Sequence, residues 1–248
     1  MLKALFTLVI VIQISFTAEA YRLYTTPNGA YVRWNMEDIE LVLDPSLESI
    51  GSMDDVEAAF QSVIALWENE AAVPVHFNLV RGDCNDLDND GNNCIFACRK
   101  GASCPRDERD KGATTFLSVS PESGVIQDMD MLFNAVDWKW NERSHASHTL
   151  NLRTVAAHEL GHALGLDHSA EKEAAMYPTI CSETPERTSL HNDDIMAATA
   201  LYEDFTPISS AAGCTVSGVG RSGDHLMGWI VLLLGCGWII RRGRKETR

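Results

Sequence analysis

Residues 154–169 read TVAAHELGHALGLDHS, and no other stretch constrains the chain as tightly. Val155, Leu160 and Leu164 are apolar, alanines fill the gaps and no proline interrupts, so the spacing predicts a helix over 152–164. On that helix His158 and His162 stand four residues apart, which puts both imidazoles on one side where they can hold a single ion. Glu159 is turned about 100° from His158, so its carboxylate falls beside such an ion, where a bound water would sit. Gly165 then stops the helix. A glycine takes the left-handed conformation without a Cβ penalty, so the chain can double back and present His168 as a third nitrogen ligand. Three neutral nitrogen donors with one open position describe a catalytic zinc site, whereas a structural site would be closed by a fourth ligand.

Chance does not readily produce this pattern. In a chain of this composition His-Glu-x-x-His should arise by chance in roughly one or two of a hundred such sequences, and adding Gly-x-x-His at the fixed offset lowers that to a few in ~100,000. Histidines merely packed in a core would also leave Glu159 beside two imidazoles without a purpose.

With 248 residues the chain can hold one sizeable domain, and its two ends shorten that. Residues 1–20 begin with Lys3, run apolar to Phe16 and finish in Ala18-Glu19-Ala20, the form of a secretory signal peptide with Tyr21 as the mature start. Residues 206–225 shift to Pro, Ser, Gly and Ala, a linker composition. The run 226–240 is apolar and is followed over 241–248 by Arg241, Arg242, Arg244, Lys245 and Arg248. That order reads as a transmembrane or sorting segment with a basic cytoplasmic tail and the domain outside. Fifteen residues are few for a span.

The net charge is −15; the first 20 residues balance and 221–248 carry +4, so the body between them carries −19. Such an acidic body argues against a nucleic-acid partner and suits a secreted protein. Four of the seven cysteines, Cys84, Cys94, Cys98 and Cys104, lie close together, and in an oxidising compartment two local disulfides are expected among them. They fall in a polar, cysteine-rich insertion at about 81–112. Within it DLDNDG sets Asp86, Asp88 and Asp90 before Gly91, a spacing that suits either a loose calcium loop or a solvated acidic loop. Ala97 at the twelfth position excludes an EF-hand.

Elsewhere, 39–43 is a short extended segment. Ser52 with Asp55 caps an amphipathic helix carrying Val56, Phe60, Val63, Ile64 and Trp67, and 73–80 alternates as a strand with His76 a strand residue. Two further extended runs cover 114–119 and 124–134. His145 and His148 sit in a polar loop beside no carboxylate. A last helix follows, capped by Asn192 or Asp193, with Ile195, Ala198, Thr199 and Tyr202 on one face.

His158-Glu159-x-x-His162-x-x-Gly165-x-x-His168 with Met176 downstream resembles the metzincin signature, and Ser169 after the third histidine with AAMYP as the turn is similar to the matrixin, or matrix-metalloprotease-like, branch. The resemblance covers roughly 21–205. It implies an α+β, zincin-like catalytic domain with a twisted mixed sheet and three helices, and a cleft along an edge strand formed by 124–134 or the run just before it. It further implies one zinc on His158, His162 and His168, Glu159 as general base, Met176 as a support beneath the ligands, and a specificity loop over 177–190. A protein or peptide would be the substrate, the monomer the working unit, and the location the cell exterior, secreted or surface-anchored.

Two departures from the family pattern stand out. Too few residues follow Tyr21 for the family's zinc-blocking propeptide, and 113–138 lacks the histidines of its second, structural zinc. The C-terminus, with Cys214 ahead of the apolar run and the arginines, resembles sorting signals of myxobacteria-like Gram-negative bacteria, which would make this a bacterial type with Cys214 as an anchoring or processing residue. The other reading pairs Cys214 with Cys181. Two rival functions remain at this level: a catalytically inactive surface module that binds calcium or a partner, and a zinc hydrolase with a non-peptide substrate.

Overall fold

Asp38–Leu43 turns Ile39, Leu41 and Leu43 inward and Asp38 and Glu40 outward, the period-two pattern of a half-buried strand. This strand, β1, opens an α+β fold in a computed structural model that describes residues 20–84, 89–98, 111–141, 149–180 and 189–207 and the backbone of 230–235. In chain order the other elements are α1 (Met53–Glu70), β2 (His76–Arg81), β3 (Cys94–Cys98), β4 (Ala113–Val119), β5 (Ile126–Asn134), β6 (Lys139–Asn141), β7 (Thr149–Asn151), α2 (Leu152–Leu164), α3 (Asn192–Tyr202) and β8 (Ile230–Gly235). The main sheet has the order β2-β1-β3-β5-β4-β8 and is mixed. Strands β2, β1, β3 and β5 run parallel, while β4 is antiparallel to β5 and β8 is antiparallel to β4.

Helix α1 starts where the sequence predicts it. Ser52 accepts the Asp55 N–H at 3.2 Å and donates to its carboxylate, and Val56, Phe60, Val63, Ile64 and Trp67 are buried. Helix α2 is the centre of the molecule: twelve of its thirteen residues are buried. Its carbonyls are claimed by large side chains from three directions. The Trp67 indole donates to Ala157 O at 3.0 Å, that of Trp34 to Ala163 O at 2.8 Å, and the Tyr202 hydroxyl to Leu164 O at 2.8 Å. The last two satisfy carbonyls at the helix end that have no partner within the helix, which ties α2 to the segment before β1 and to α3.

Four expectations change. Segment 81–112 is not all insertion, because Cys94–Cys98 forms β3, a sheet strand between β1 and β5 with Ile95 fully buried. Burial on both faces, with Cys94, Ile95, Ala97 and Cys98 all buried, removes the alternation that marks a strand in sequence. The cap of α3 is His191, whose ring accepts the Asp193 N–H at 3.2 Å. Its buried face holds Asp193, Asp194, Ala197, Ala198, Leu201 and Tyr202, while Thr199 is exposed. Finally, part of the run read as a membrane span is strand β8, and among the described residues no helix is long and apolar enough to cross a membrane. A short run of Ile, Val and Leu satisfies the pattern of a buried strand as well as that of an apolar helix, and only the sheet partner decides.

Of the cysteines, Cys84 and Cys94 are bridged with Cα atoms 6.0 Å apart, and Cys98 is also disulfide-bonded. Cys104, Cys181, Cys214, Asp86, Asp88, His145 and His148 lie outside the described residues, as do residues 1–19 of the segment expected to be a signal peptide.

Candidate metal centre

The site is built on the last two turns of α2 and the reversal that follows. Asn151 caps the helix by accepting the Thr154 N–H at 2.9 Å. At the other end Gly165 adopts φ +103°, its N–H reaching His162 O at 2.8 Å while the Leu166 N–H reaches Gly161 O at 3.0 Å. A Cβ at 165 would strike the carbonyl of Val32, so glycine is demanded twice, by the dihedral and by the close approach. The reversed chain is held by Asp167 N–H to Arg22 O at 3.1 Å and brings His168 back over the helix.

There His158, His162 and His168 converge, with one ligand atom from each lying within 4.8 Å of the others. This is the one group of three or more candidate ligands that converges in this way among the described residues. The orientation of each ring is fixed from behind. His158 Nδ1 lies 2.7 Å from Ala175 O and His162 Nδ1 lies 2.8 Å from Leu166 O. A carbonyl can only accept, so both rings carry their proton on Nδ1 and turn an unprotonated Nε2 inward. The two Nε2 atoms stand 3.1 Å apart, and His168 Nε2 is buried with no hydrogen-bond partner. Two lone pairs and an orphaned nitrogen facing one point need a cation between them, and tetrahedral zinc suits such a donor set. Burial, then the neighbouring His168, push His162 down to about 3, and burial lowers His168 as well. His162 and His168 are therefore neutral near pH 7, the form in which histidine binds a metal.

Met176 lies beneath the site, buried, with Gly161 packed onto its sulfur so closely that a Cβ there would collide with Sδ and with Trp67. Its turn is tied to α3. The Asp194 carboxylate accepts the N–H groups of Ala175 at 2.7 Å, Met176 at 3.0 Å and His191 at 3.0 Å. Ser169 is buried and donates to Asp193 at 2.5 Å. Glu159 is fully buried on the strand side of α2, where the Thr115 hydroxyl of β4 lies 2.8 Å from its Oε2. Thr115, Ala175 and Asp194 were not expected from the sequence, and only the acidic pair at the start of the last helix hinted at one of them.

Between the two strands considered for the cleft, β4 packs directly against α2, whereas β5 is flanked by β3 and β4. The outer edge of β4 carries β8, paired from Thr114 with Gly235 to Val119 with Ile230. Asp90 accepts both nitrogens of Asn92 at 2.8 Å, and Gly91 N–H reaches the buried Asp128 at 2.8 Å.

Comparison with known proteins points the same way. A family model described as Matrixin matches residues 33–203, more than half of the chain. Matrix metalloproteinase-18 of Xenopus laevis is 31% identical over 164 residues, 66% of this chain and 32% of that protein. Human matrilysin is 30% identical over 150 residues, 59% and 50% of the two chains, and mouse stromelysin-1 is 47% identical over 158 residues, 62% and 29%. The chain thus spans half or less of the length of these relatives.

Proposed function

This chain belongs to the matrixin family, and from that premise we propose that it is a zinc-dependent endopeptidase that hydrolyses internal peptide bonds of extracellular proteins. The observation that carries this reading is the convergence of three imidazoles, two of them fully buried with Nδ1 committed to a carbonyl, beside a glutamate on the helix that carries those two. His158, His162 and His168 hold the ion. Zinc held there would supply Lewis acidity, lowering the pKa of a water and polarising the scissile carbonyl. Glu159 takes the proton of the attacking water and passes it to the departing amine. Met176 and the Asp194 carboxylate keep the ligand rings from shifting. A substrate segment lies along β4 as an added strand, in place of β8, which pairs antiparallel with that side of β4. Residues 177–190, of which 181–188 lie outside the described residues, follow the turn in sequence and are the segment proposed to set preference for the bond cut. Export of the chain rests on the signal sequence and agrees with the Cys84–Cys94 bridge. Calcium titration of the full-length protein tests whether Asp86, Asp88 and Asp90 bind that ion.

The test is direct. Full-length protein is incubated with a denatured protein substrate, with and without a chelator. Cleavage that stops on chelation and returns with zinc is expected. Protein that retains about one zinc and cuts neither native nor denatured substrates would favour the inactive binding module instead.

A further inference from the structure

We propose that Thr115 is a positioning residue that holds the carboxylate of Glu159 in its working orientation. The inference rests on the peptidase reading and adds to it a second residue for the proton-transfer step. Position 115 is fully buried on β4, in a stretch of strand whose inward neighbours are apolar. A core position of this kind is ordinarily filled by Val or Ile, and a buried hydroxyl there costs stability unless it is satisfied. Both hydrogen bonds that satisfy it go to one residue: Thr115 Oγ1 lies 2.8 Å from Glu159 Oε2 and 3.2 Å from Glu159 O.

The geometry gives this contact leverage. Thr115 is fixed by its strand, pairing with Met131 of β5 on one side and with Leu234 of β8 on the other, and β-branching leaves its χ1 stiff. Glu159 is likewise fully buried, on the helix that packs against β4. A donor held rigid in the strand gives its carboxylate a fixed partner, so the hydroxyl sets the direction in which Oε2 lies. Proton transfer requires heavy atoms within about 2.6–3.2 Å, so a carboxylate that shifts on losing this partner moves out of reach.

Thr115→Val removes the hydroxyl and keeps the shape; Thr115→Ser keeps the hydroxyl. In Thr115→Val, kcat is expected to fall about tenfold to a hundredfold, with KM within about twofold and zinc content unchanged, while Thr115→Ser restores most of kcat. Unchanged kcat in Thr115→Val, equal losses in both variants, or a loss confined to KM would overturn the proposal while leaving the peptidase reading intact. A wild type that cuts nothing would instead defeat that reading. A readout that needs no turnover is then available: in zinc-free protein the unfolding midpoint shift caused by Thr115→Val should shrink when the same change is made on Glu159→Ala. An identical shift in both backgrounds means that the two side chains are not coupled, and the proposal fails.

Discussion

The carboxylate of Asp194 accepts the backbone N–H of Met176 at 3.0 Å, so the first turn of α3 fixes the turn that lies under the three histidines. The same carboxylate takes the Ala175 N–H, and the Ala175 carbonyl is what orients His158. One buried acid therefore links the last helix to a ligand ring through a single residue.

Replacing Asp194 by Ala strips acceptors from three backbone N–H groups in and beside the core. At about 1–3 kcal/mol for each buried group left unsatisfied, a loss of at least 3 kcal/mol in urea unfolding is expected. Because His158 loses its support, the variant should also release zinc to a competing chelator about 10- to 100-fold more readily than wild type. Wild-type zinc retention in a destabilised variant would separate the two roles and refute the link.

Gly161→Ala places a methyl group on the Met176 sulfur and on the Trp67 ring. Overpacking of this kind costs roughly 1–3 kcal/mol, although alanine is the better helix former. Met176→Ala removes the obstruction at the sulfur, so the double variant should be more stable than the sum of the two single losses. Strict additivity in thermal unfolding would mean that the two residues do not press on each other.

Acid should unfold the zinc-free protein early. The folded His162 sits at about 3 against 6.5 when exposed, and His168 is lowered too. A proton that binds more tightly in the unfolded chain drains stability as it is taken up, so stability is full above the unfolded value and falls as pH drops toward the folded one. Urea midpoints of zinc-free protein should therefore decline steadily from about pH 6.5 to about pH 3, and bound zinc should delay the decline. A flat profile across that range would contradict the burial of the neutral rings.

Strand β8 occupies the edge of β4 along which a substrate segment is proposed to lie. Substrate and β8 then compete, and weakening β8 should speed cleavage. Proline removes a ladder N–H, and neighbouring residues of a strand point their N–H groups to opposite sides. One of Leu232→Pro and Leu233→Pro must therefore remove a donor facing β4. At least one of the two variants should show a lower KM for a long unfolded substrate. Unchanged KM in both would show that β8 does not stand in the substrate path.

Much of this architecture is readable in local sequence because local chemistry decides it. Ser52 with Asp55 marks the start of α1, and Gly165 marks both the end of α2 and the turn that delivers His168. What escapes the sequence depends on distant partners. His191 rather than Asn192 or Asp193 caps α3, because both aspartates are drawn inward, Asp194 by N–H groups 18 and 19 residues earlier in the chain and Asp193 by Ser169. Strand β3 hides between two cysteines because both of its faces are buried, which leaves no alternation to read. Thr115 reads as one more polar strand residue until α2 brings Glu159 to it from 44 positions away.

The central claim is that the ion is held by the histidines while Glu159 moves the proton, and Glu159→Ala tests it most directly. Zinc content and cleavage of a denatured protein are measured side by side for this variant and wild type. Both should carry about one zinc with only the wild type cutting. Cleavage by Glu159→Ala at a rate close to wild type would contradict the assignment.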